Sequence, residues 1–284
     1  MFKTVGDQVW AFDCEWIPDP TSAKLLLDTD PGAGDLESME ALWAKGGATA
    51  EDPRPFLRTA QCRVVSIAMM QRIRRNGDVR LNLLWLPRDV NDPAKSSETA
   101  MVGTFLNSIG KFRPQLVGFN SRGADLRILL QRAFVKGISA PEFCRRPDKP
   151  WEGIDYFARD NDCHVDLMEI LGGFGSKSIS LNEAARLSGI PGKIGVCGDD
   201  VAQMWLDGQW LEIVRYNCFD AITTYLVWLR VAHLAGHFDA DEYELEQDRV
   251  RELLETLCET PGMGFLEKYI EEWDRLGALK DELN

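Results

Sequence analysis

The strongest constraint on the fold is a short apolar segment near the start of the chain that contains two acidic residues. Residues 9–16 (VWAFDCEW) are rich in aromatic and aliphatic side chains, which predicts a buried β-strand. Side chains two positions apart on a strand point to the same face, so Asp13 and Glu15 are neighbours. Burial makes two adjacent carboxylates costly to ionise, and a divalent cation between them would remove that cost. The alternative is a strand end at which both acids face solvent.

The rest of the apolar patterning predicts a mixed α/β protein. Further strands are predicted at residues 62–70, 79–86, 115–119 and 164–168, the first two joined by an Asn76-Gly77 hairpin turn. Helices are predicted at residues 99–112, 123–135, 181–187, 199–206 and 210–233. The order β, β, β, α, β, α, followed by more helices, predicts a mixed β-sheet flanked by helices. Residues 17–60 are expected to form a long insertion between the first two strands.

The negative charge of the chain is concentrated at one end. The 284 residues include 45 acidic and 32 basic ones, a net charge of −13 that, taken whole, argues against a nucleic-acid ligand. Residues 239–284 hold fifteen acidic and five basic residues, or −10, which leaves −3 for residues 1–238. Residues 111–149 carry nine basic and three acidic residues, a local +6. We therefore predict a domain at 1–238 and an acidic helical extension at 239–284.

Composition also limits the compartment and the class of protein. The seven cysteines form no CxxC pair, so neither a disulfide framework nor a structural zinc site is expected. The sequence has no run of 18 uncharged apolar residues, and its first residues lack the apolar core of a signal peptide. The expected location is therefore cytoplasmic, with no membrane partner.

Two further positions place acids beside predicted apolar elements. Asp125 lies in the first turn of the helix at 123–135, after a strand and a loop that contains Asn120. The ordinary explanation is that this acid complements the helix dipole and that Asn120 is a turn residue. Tyr216 and Asp220 are four residues apart on the long helix, so they share a face. Here the alternative is a packed tyrosine and a solvated acid.

Together and in this order, the three positions resemble the DEDD exonuclease superfamily, which has a ribonuclease H-like fold. Tyr216, where the other subclass has a histidine, is typical of the DEDDy subclass, which includes polymerase proofreading domains and RNase D. Five segments extend the resemblance: PRPFL, RVVSIA, HVDLMEIL, GKIGVCGDDV and RYNCFDAITTYLVWLR. They resemble the predicted 3′–5′ exonucleases related to the proofreading domain of family B DNA polymerases. The resemblance covers residues 7–235.

The resemblance implies a metal-dependent nuclease that releases 5′-nucleotides from a free 3′ end. Two Mg²⁺ or Mn²⁺ ions would be bound by four carboxylates, those of Asp13, Glu15, Asp125 and Asp220. Tyr216 would orient the attacking water. Three further residues are expected at the substrate, namely Asn120, Trp16 and Lys193. Core packing of Trp16 and a solvated Lys193 are the alternatives.

Two residues depart from the pattern of the proofreading domains. Ala124 stands where these domains commonly have phenylalanine, and Arg127 where the related pattern often has proline. The first change leaves open how Asp125 and the terminal nucleotide are oriented.

The expected substrate is nucleic acid with a free 3′ end, and single-stranded DNA is favoured. RNA, cleaved as by an exoribonuclease of the RNase D kind, is one alternative. A noncatalytic nucleic-acid-binding module that kept the fold is another. A separate polymerase is a candidate protein partner.

Overall fold

Five strands form one mixed sheet in the computed structural model, which describes residues 1–149, 151–158, 161–172, 178–195 and 198–283. The strands are β1 (Gln8–Pro18), β2 (Cys62–Arg75), β3 (Asp78–Leu86), β4 (Gln115–Gly118) and β5 (His164–Asp166). Their spatial order is β3-β2-β1-β4-β5. The β1–β2 and β2–β3 pairs are antiparallel, whereas β1–β4 and β4–β5 are parallel. The predicted mixed α/β sheet is confirmed.

Helices surround this sheet and occupy most of the second half of the chain. The helices up to the fourth strand are α1 (Pro20–Leu26), α2 (Asp35–Gly46), α3 (Pro93–Ser96) and α4 (Glu98–Phe112). They are followed by α5 (Asp125–Val135), α6 (Pro141–Cys144), α7 (Leu167–Leu171), α8 (Leu181–Leu187) and α9 (Val201–Leu206). The last three are α10 (Trp210–Leu234), α11 (Ala240–Cys258) and α12 (Glu267–Leu283). The insertion after the first strand therefore contains α1 and α2.

Local chemistry accounts for several element boundaries. Asn76 and Gly77 both have positive φ, 52° and 89°, which is the turn geometry that joins β2 and β3. β2 continues to Arg75, five residues beyond its predicted end, because it pairs with β3 along its whole second half. The predicted strand at 164–168 ends at Asp166, whose side chain accepts a hydrogen bond from the Met168 amide and caps α7.

Alternate residues of β1 enter two different hydrophobic clusters. Val9 and Ala11 pack in the cluster that contains most of the buried apolar residues of α10. Trp10 and Phe12 pack in the cluster that contains those of α4 and α5. Since side chains alternate along a strand, the odd-numbered residues of β1 face α10. Asp13 and Glu15 continue the odd-numbered series, which aims both carboxylates at that helix.

The acidic extension packs on the sheet domain. Arg72 of β2 and Glu246 of α11 form a buried ion pair at 2.7 Å, and the Tyr225 hydroxyl of α10 donates to the same carboxylate at 3.2 Å. Tyr269 and Trp273 of α12 belong to the hydrophobic cluster that also contains α10. The extension and the sheet therefore share one core, and the division at residue 238 stays a prediction.

Candidate active site

Three carboxylates converge where β1 passes α10. Asp13 and Glu15 come from β1, and Asp220 comes from the middle of α10. One carboxylate oxygen of each lies within 4.8 Å of the other two. Burial of the surrounding strand and helix leaves these groups few water molecules, so their mutual repulsion is poorly screened. A cluster of oxygen donors at this spacing matches the ligands that Mg²⁺ and Mn²⁺ prefer.

Asp125 lies beside this cluster at the start of α5. Its Oδ1 accepts a hydrogen bond from the Cys14 amide of β1 at 3.0 Å. β4 pairs with β1 only at residues 9–11, so the Cys14 amide lies beyond the end of β4. The strand thus uses this amide to hold the fourth acid next to Asp13 and Glu15.

The acids of the site have raised pKa values because they are buried together. Burial, and then the charges of Asp125, Glu15 and Asp220, raises the pKa of Asp13 well above its usual range. Burial raises the pKa of Asp125 to about 7 and that of Asp220 to about 6. The protein alone therefore stabilises the protonated carboxyls, and a bound cation would favour their ionised form.

Asn217 fixes the orientation of Asp13. Its Nδ2 donates to Asp13 Oδ2 at 2.7 Å, and its Oδ1 accepts from the Ser66 hydroxyl of β2 at 3.0 Å. Ser66 and Asn217 are both fully buried. These two hydrogen bonds hold the Asp13 carboxylate in place between β2 and α10.

Tyr216 lies one turn before Asp220 and is hydrogen-bonded to it. Burial, and then the charges of Asp220 and Glu15, raises the pKa of the Tyr216 hydroxyl well above its usual range. The phenol therefore stays protonated at neutral pH. It can orient a neighbouring oxygen by hydrogen bonding, but it is not a base that removes a proton.

Lys193 contributes a positive charge to the site. It lines a cavity of about 190 Å³ together with Asp13, Tyr216 and Asp220. Its charge opposes the effect of burial on the pKa of Glu15 and of Asp220. The Lys193 amide donates to Asn182 Oδ1 at 2.9 Å, which ties its loop to α8. The structure thus places Lys193 at the acids, with its side chain exposed to an incoming anion.

Comparison with protein families identifies the chain. Residues 54–273 match the sequence model of a family described as "Predicted 3'-5' exonuclease related to the exonuclease domain of PolB". The chain belongs to this family. A comparison with curated proteins found no match.

The part of the chain that matches the exonuclease family does not contain the whole acidic cluster. It includes Asp125 and the Tyr216 and Asp220 pair of α10, and it continues through α11 into α12. β1, with Asp13 and Glu15, precedes the matched residues. The structure nevertheless brings the two acids of β1 to the acid of α10, which joins the matched and unmatched parts in one site.

The loop between β4 and α5 is anchored by Asp166. The carboxylate of Asp166 accepts hydrogen bonds from the backbone amides of Asn120 and Arg122 at 3.0 and 2.9 Å. Asn120 has a left-handed backbone with φ of 59°, and it lines a large cleft on the α5 side of the loop. The preceding residue, Phe119, lines the cavity of the acids. Asn120 is therefore near the acids but faces the neighbouring cleft.

Trp16 is half-buried rather than wholly within the core. Its ring meets that of Phe56 edge-on, with centroids 6.5 Å apart. Phe56 and the Ser66–Asn217 pair were not predicted as site residues. An asparagine inside the apolar pattern of the long helix was the one sequence signal for the pair.

Among the helices of the described residues, none combines the length and the apolar character needed to cross a bilayer.

Proposed function

We propose that the protein is a metal-dependent 3′–5′ exonuclease that hydrolyses the terminal phosphodiester of single-stranded DNA and releases 5′-nucleotides. The observation that supports it most is the convergence of Asp13, Glu15 and Asp220 within 4.8 Å, in a member of an exonuclease family. The cytoplasmic location stays a prediction from the sequence. A separate polymerase stays a candidate partner.

The donor set fits divalent cations. Asp13, Glu15 and Asp220 would hold one ion. Asp125, whose carboxylate is hydrogen-bonded to the Cys14 amide of β1, would help to hold a second. When bound, such ions supply a Lewis acid and an activated water at the phosphorus. Their charge would also offset the burial and the mutual repulsion that raise the carboxyl pKa values in the protein alone.

The side chains of the protein position the reacting groups. Tyr216 keeps its proton and donates it to Asp220, so its oxygen can accept a hydrogen bond from the attacking water and orient it. Lys193, exposed on the cavity wall, can bind a non-bridging phosphate oxygen of the terminal nucleotide. Asn217 prevents Asp13 from rotating away from the ion.

Cleavage of 5′-labelled oligonucleotides tests this proposal. Wild-type protein with Mg²⁺ or Mn²⁺ is expected to shorten a single-stranded DNA stepwise from its 3′ end. Asp220→Asn should lose at least about 10³-fold in rate, the scale of metal-assisted transfer. The control Asp248→Asn makes the same chemical change at an exposed position of α11 and should cleave as the wild type does.

A second readout separates metal binding from catalysis. Mn²⁺ should raise the melting temperature of the wild type, because a ligand of the folded state stabilises it. Asp220→Asn should show a smaller shift and Asp248→Asn the full one. Equal cleavage by Asp220→Asn would contradict the proposal. A metal-induced shift without cleavage would favour the noncatalytic binding module.

An RNA of the same sequence distinguishes the two nucleic acids. Equal or faster shortening of the RNA would replace the DNA preference with exoribonuclease activity of the RNase D kind. The 2′-hydroxyl is the group that separates these substrates.

A further inference from the structure

An exposed aromatic ring stands at the edge of the large cleft beside the acids. Phe56 is 77 % exposed, although its neighbours are fixed in the fold. Leu57 is buried in the core, and the Arg54 guanidinium lies 5.1 Å from the centroid of the Trp43 ring. Exposing a large apolar side chain on an anchored segment carries a hydration cost that a bound ligand would remove.

The cleft adjoins the acidic cluster on two sides. Ala124 lines it and precedes Asp125, whose carboxylate is bonded to β1. Phe56 also lines it and contacts Trp16, the residue after Glu15. The lining of the cleft therefore adjoins Asp125 directly on α5 and reaches Glu15 of β1 through the Phe56–Trp16 contact.

The walls of the cleft combine arginine with apolar and aromatic side chains. Its volume is about 850 Å³, within the roughly 300–1,000 Å³ of small-molecule pockets. Arg122 and Arg127 supply positive charge, and Tyr156 and Phe157 supply aromatic surface. Arg122 is occupied by Glu169, at 3.3 Å. Arg127 is exposed and forms no ion pair within the described residues, so it can meet an anion.

This chemistry selects a single strand of nucleic acid. Grooves that bind single strands place aromatic rings against bases and cations against the phosphates. A duplex hides the faces of all bases except the outer face of its terminal pair, so within a strand Phe56 could stack only on an unpaired base. Among the described residues that line the cleft, Arg127 is the charged side chain without an ion pair, and it is cationic, as a phosphate backbone requires.

We propose that Phe56 stacks on an unpaired base within the last few nucleotides of a single-stranded 3′ end, with Arg127 at the adjacent backbone. This assignment rests on the proposed exonuclease function, because the strand in the cleft is the substrate of the neighbouring acids. Phe56 thereby makes the enzyme select single-stranded over duplex ends.

Binding to labelled oligonucleotides in Ca²⁺ tests the stacking apart from cleavage. Phe56→Ala should weaken the binding of a single-stranded 12-mer about tenfold, the lower range for one stacked base. Phe56→Trp keeps a ring and should restore most of the affinity. The control Phe134→Ala removes a ring that is 87 % exposed at the far end of α5, outside the residues that line the cleft. It should bind as the wild type does.

Oligonucleotides with an abasic site at one of the last four positions identify the stacked base. At one position the wild type should lose about tenfold in affinity, and Phe56→Ala should lose nothing further. If Phe56→Ala weakened the binding of intact DNA and of all four abasic oligonucleotides equally, stacking would be overturned. An unchanged affinity of Phe56→Ala, or an equal loss of affinity in Phe134→Ala, would also overturn it.

Cleavage measured in parallel with Mg²⁺ separates the two proposals. Ring-dependent binding without cleavage by the wild type would support the stacking role and contradict the exonuclease function. Cleavage that is unchanged in KM and kcat by Phe56→Ala would support the function and overturn the stacking role. If the wild type binds no oligonucleotide, the stacking role is wrong.

Discussion

The amide side chain of Asn217 holds the Asp13 carboxylate in its orientation. Asn217 donates to Asp13 at 2.7 Å and accepts from Ser66 at 3.0 Å, so one amide links β1, β2 and α10. Hydrogen bonds of this kind hold a metal ligand in one rotamer and lower its pKa. We expect Asn217 to be a positioning residue of the site.

Asn217→Ala should therefore lower the metal-dependent activity more than it lowers the stability of the fold. It removes the donor to Asp13, and we expect a loss of about 10–100-fold in kcat together with a higher Mn²⁺ concentration for half-maximal activity. Titration of activity against Mn²⁺ measures both effects. Ser66→Ala, which loosens Asn217 but leaves its bond to Asp13, should show the same direction with a smaller size.

The control for this variant is Asn107→Ala. Asn107 lies exposed on α4, where it donates to the Gly103 carbonyl, so the same change is made on a helix away from the site. It should leave the metal titration unchanged. A purely structural Asn217 would lower the melting temperature while the Mn²⁺ dependence of the remaining activity stayed that of the wild type, and that outcome would contradict the positioning role.

The sequence predicts the regular elements and the conspicuous acids of the site, but not the side chains that tertiary packing brings to it. The apolar periodicity predicts the mixed sheet and the long helix, and both are confirmed. Asp13 and Glu15 were found because acids inside an apolar strand are conspicuous. Asn217 was not predicted as a site residue, because its partner Ser66 is 151 residues away and no local sequence pattern links the two. Phe56 was missed because its exposure follows from the tertiary packing of its neighbours.

The short strand β5 supports the loop that leads to α5. His164 of β5 is buried and its Nε2 lies 2.8 Å from the Ser121 hydroxyl. Burial, and then the positive charge of Arg122, lowers the pKa of His164 to about 3. The imidazole is therefore neutral in the folded protein. Protonation would add a second positive charge next to Arg122 at a buried position.

This histidine predicts an acid-sensitive contribution to stability. The folded pKa lies below the unfolded value of 6.5, so the contribution is complete above pH 6.5 and is lost as pH falls toward 3. His164→Gln removes the titrating group. Urea unfolding between pH 7.5 and 4.5 should show the wild type losing about 1 kcal/mol per pH unit, below 6.5, relative to the variant. Parallel pH profiles would contradict this account.

Over the whole molecule, the negative charge is unevenly distributed between residues 1–238 and the acidic extension. The extension holds −10 of the total −13. Tyr269 and Trp273 pack in the same cluster as α10, and the Arg72–Glu246 pair joins the extension to β2, so removing residues 239–284 would expose the core. Deletion is therefore a poor test of its charge, whereas surface substitutions keep the core intact.

Neutralising the exposed acids of α11 should increase nonspecific duplex binding. Several acids there are exposed and form no ion pair within the described residues, and four of these lie beyond the first turn of the helix, namely Glu244, Asp248, Glu252 and Glu255. Replacing them by glutamine or asparagine changes the net charge from −13 to −9. Because like charges repel a phosphate backbone over about a Debye length, duplex affinity at 20 mM salt should rise several-fold and the gain should vanish near 0.5 M. Cleavage of a short single strand should stay unchanged. An equal duplex affinity of variant and wild type at low salt would mean that these acids only solvate the helix surface.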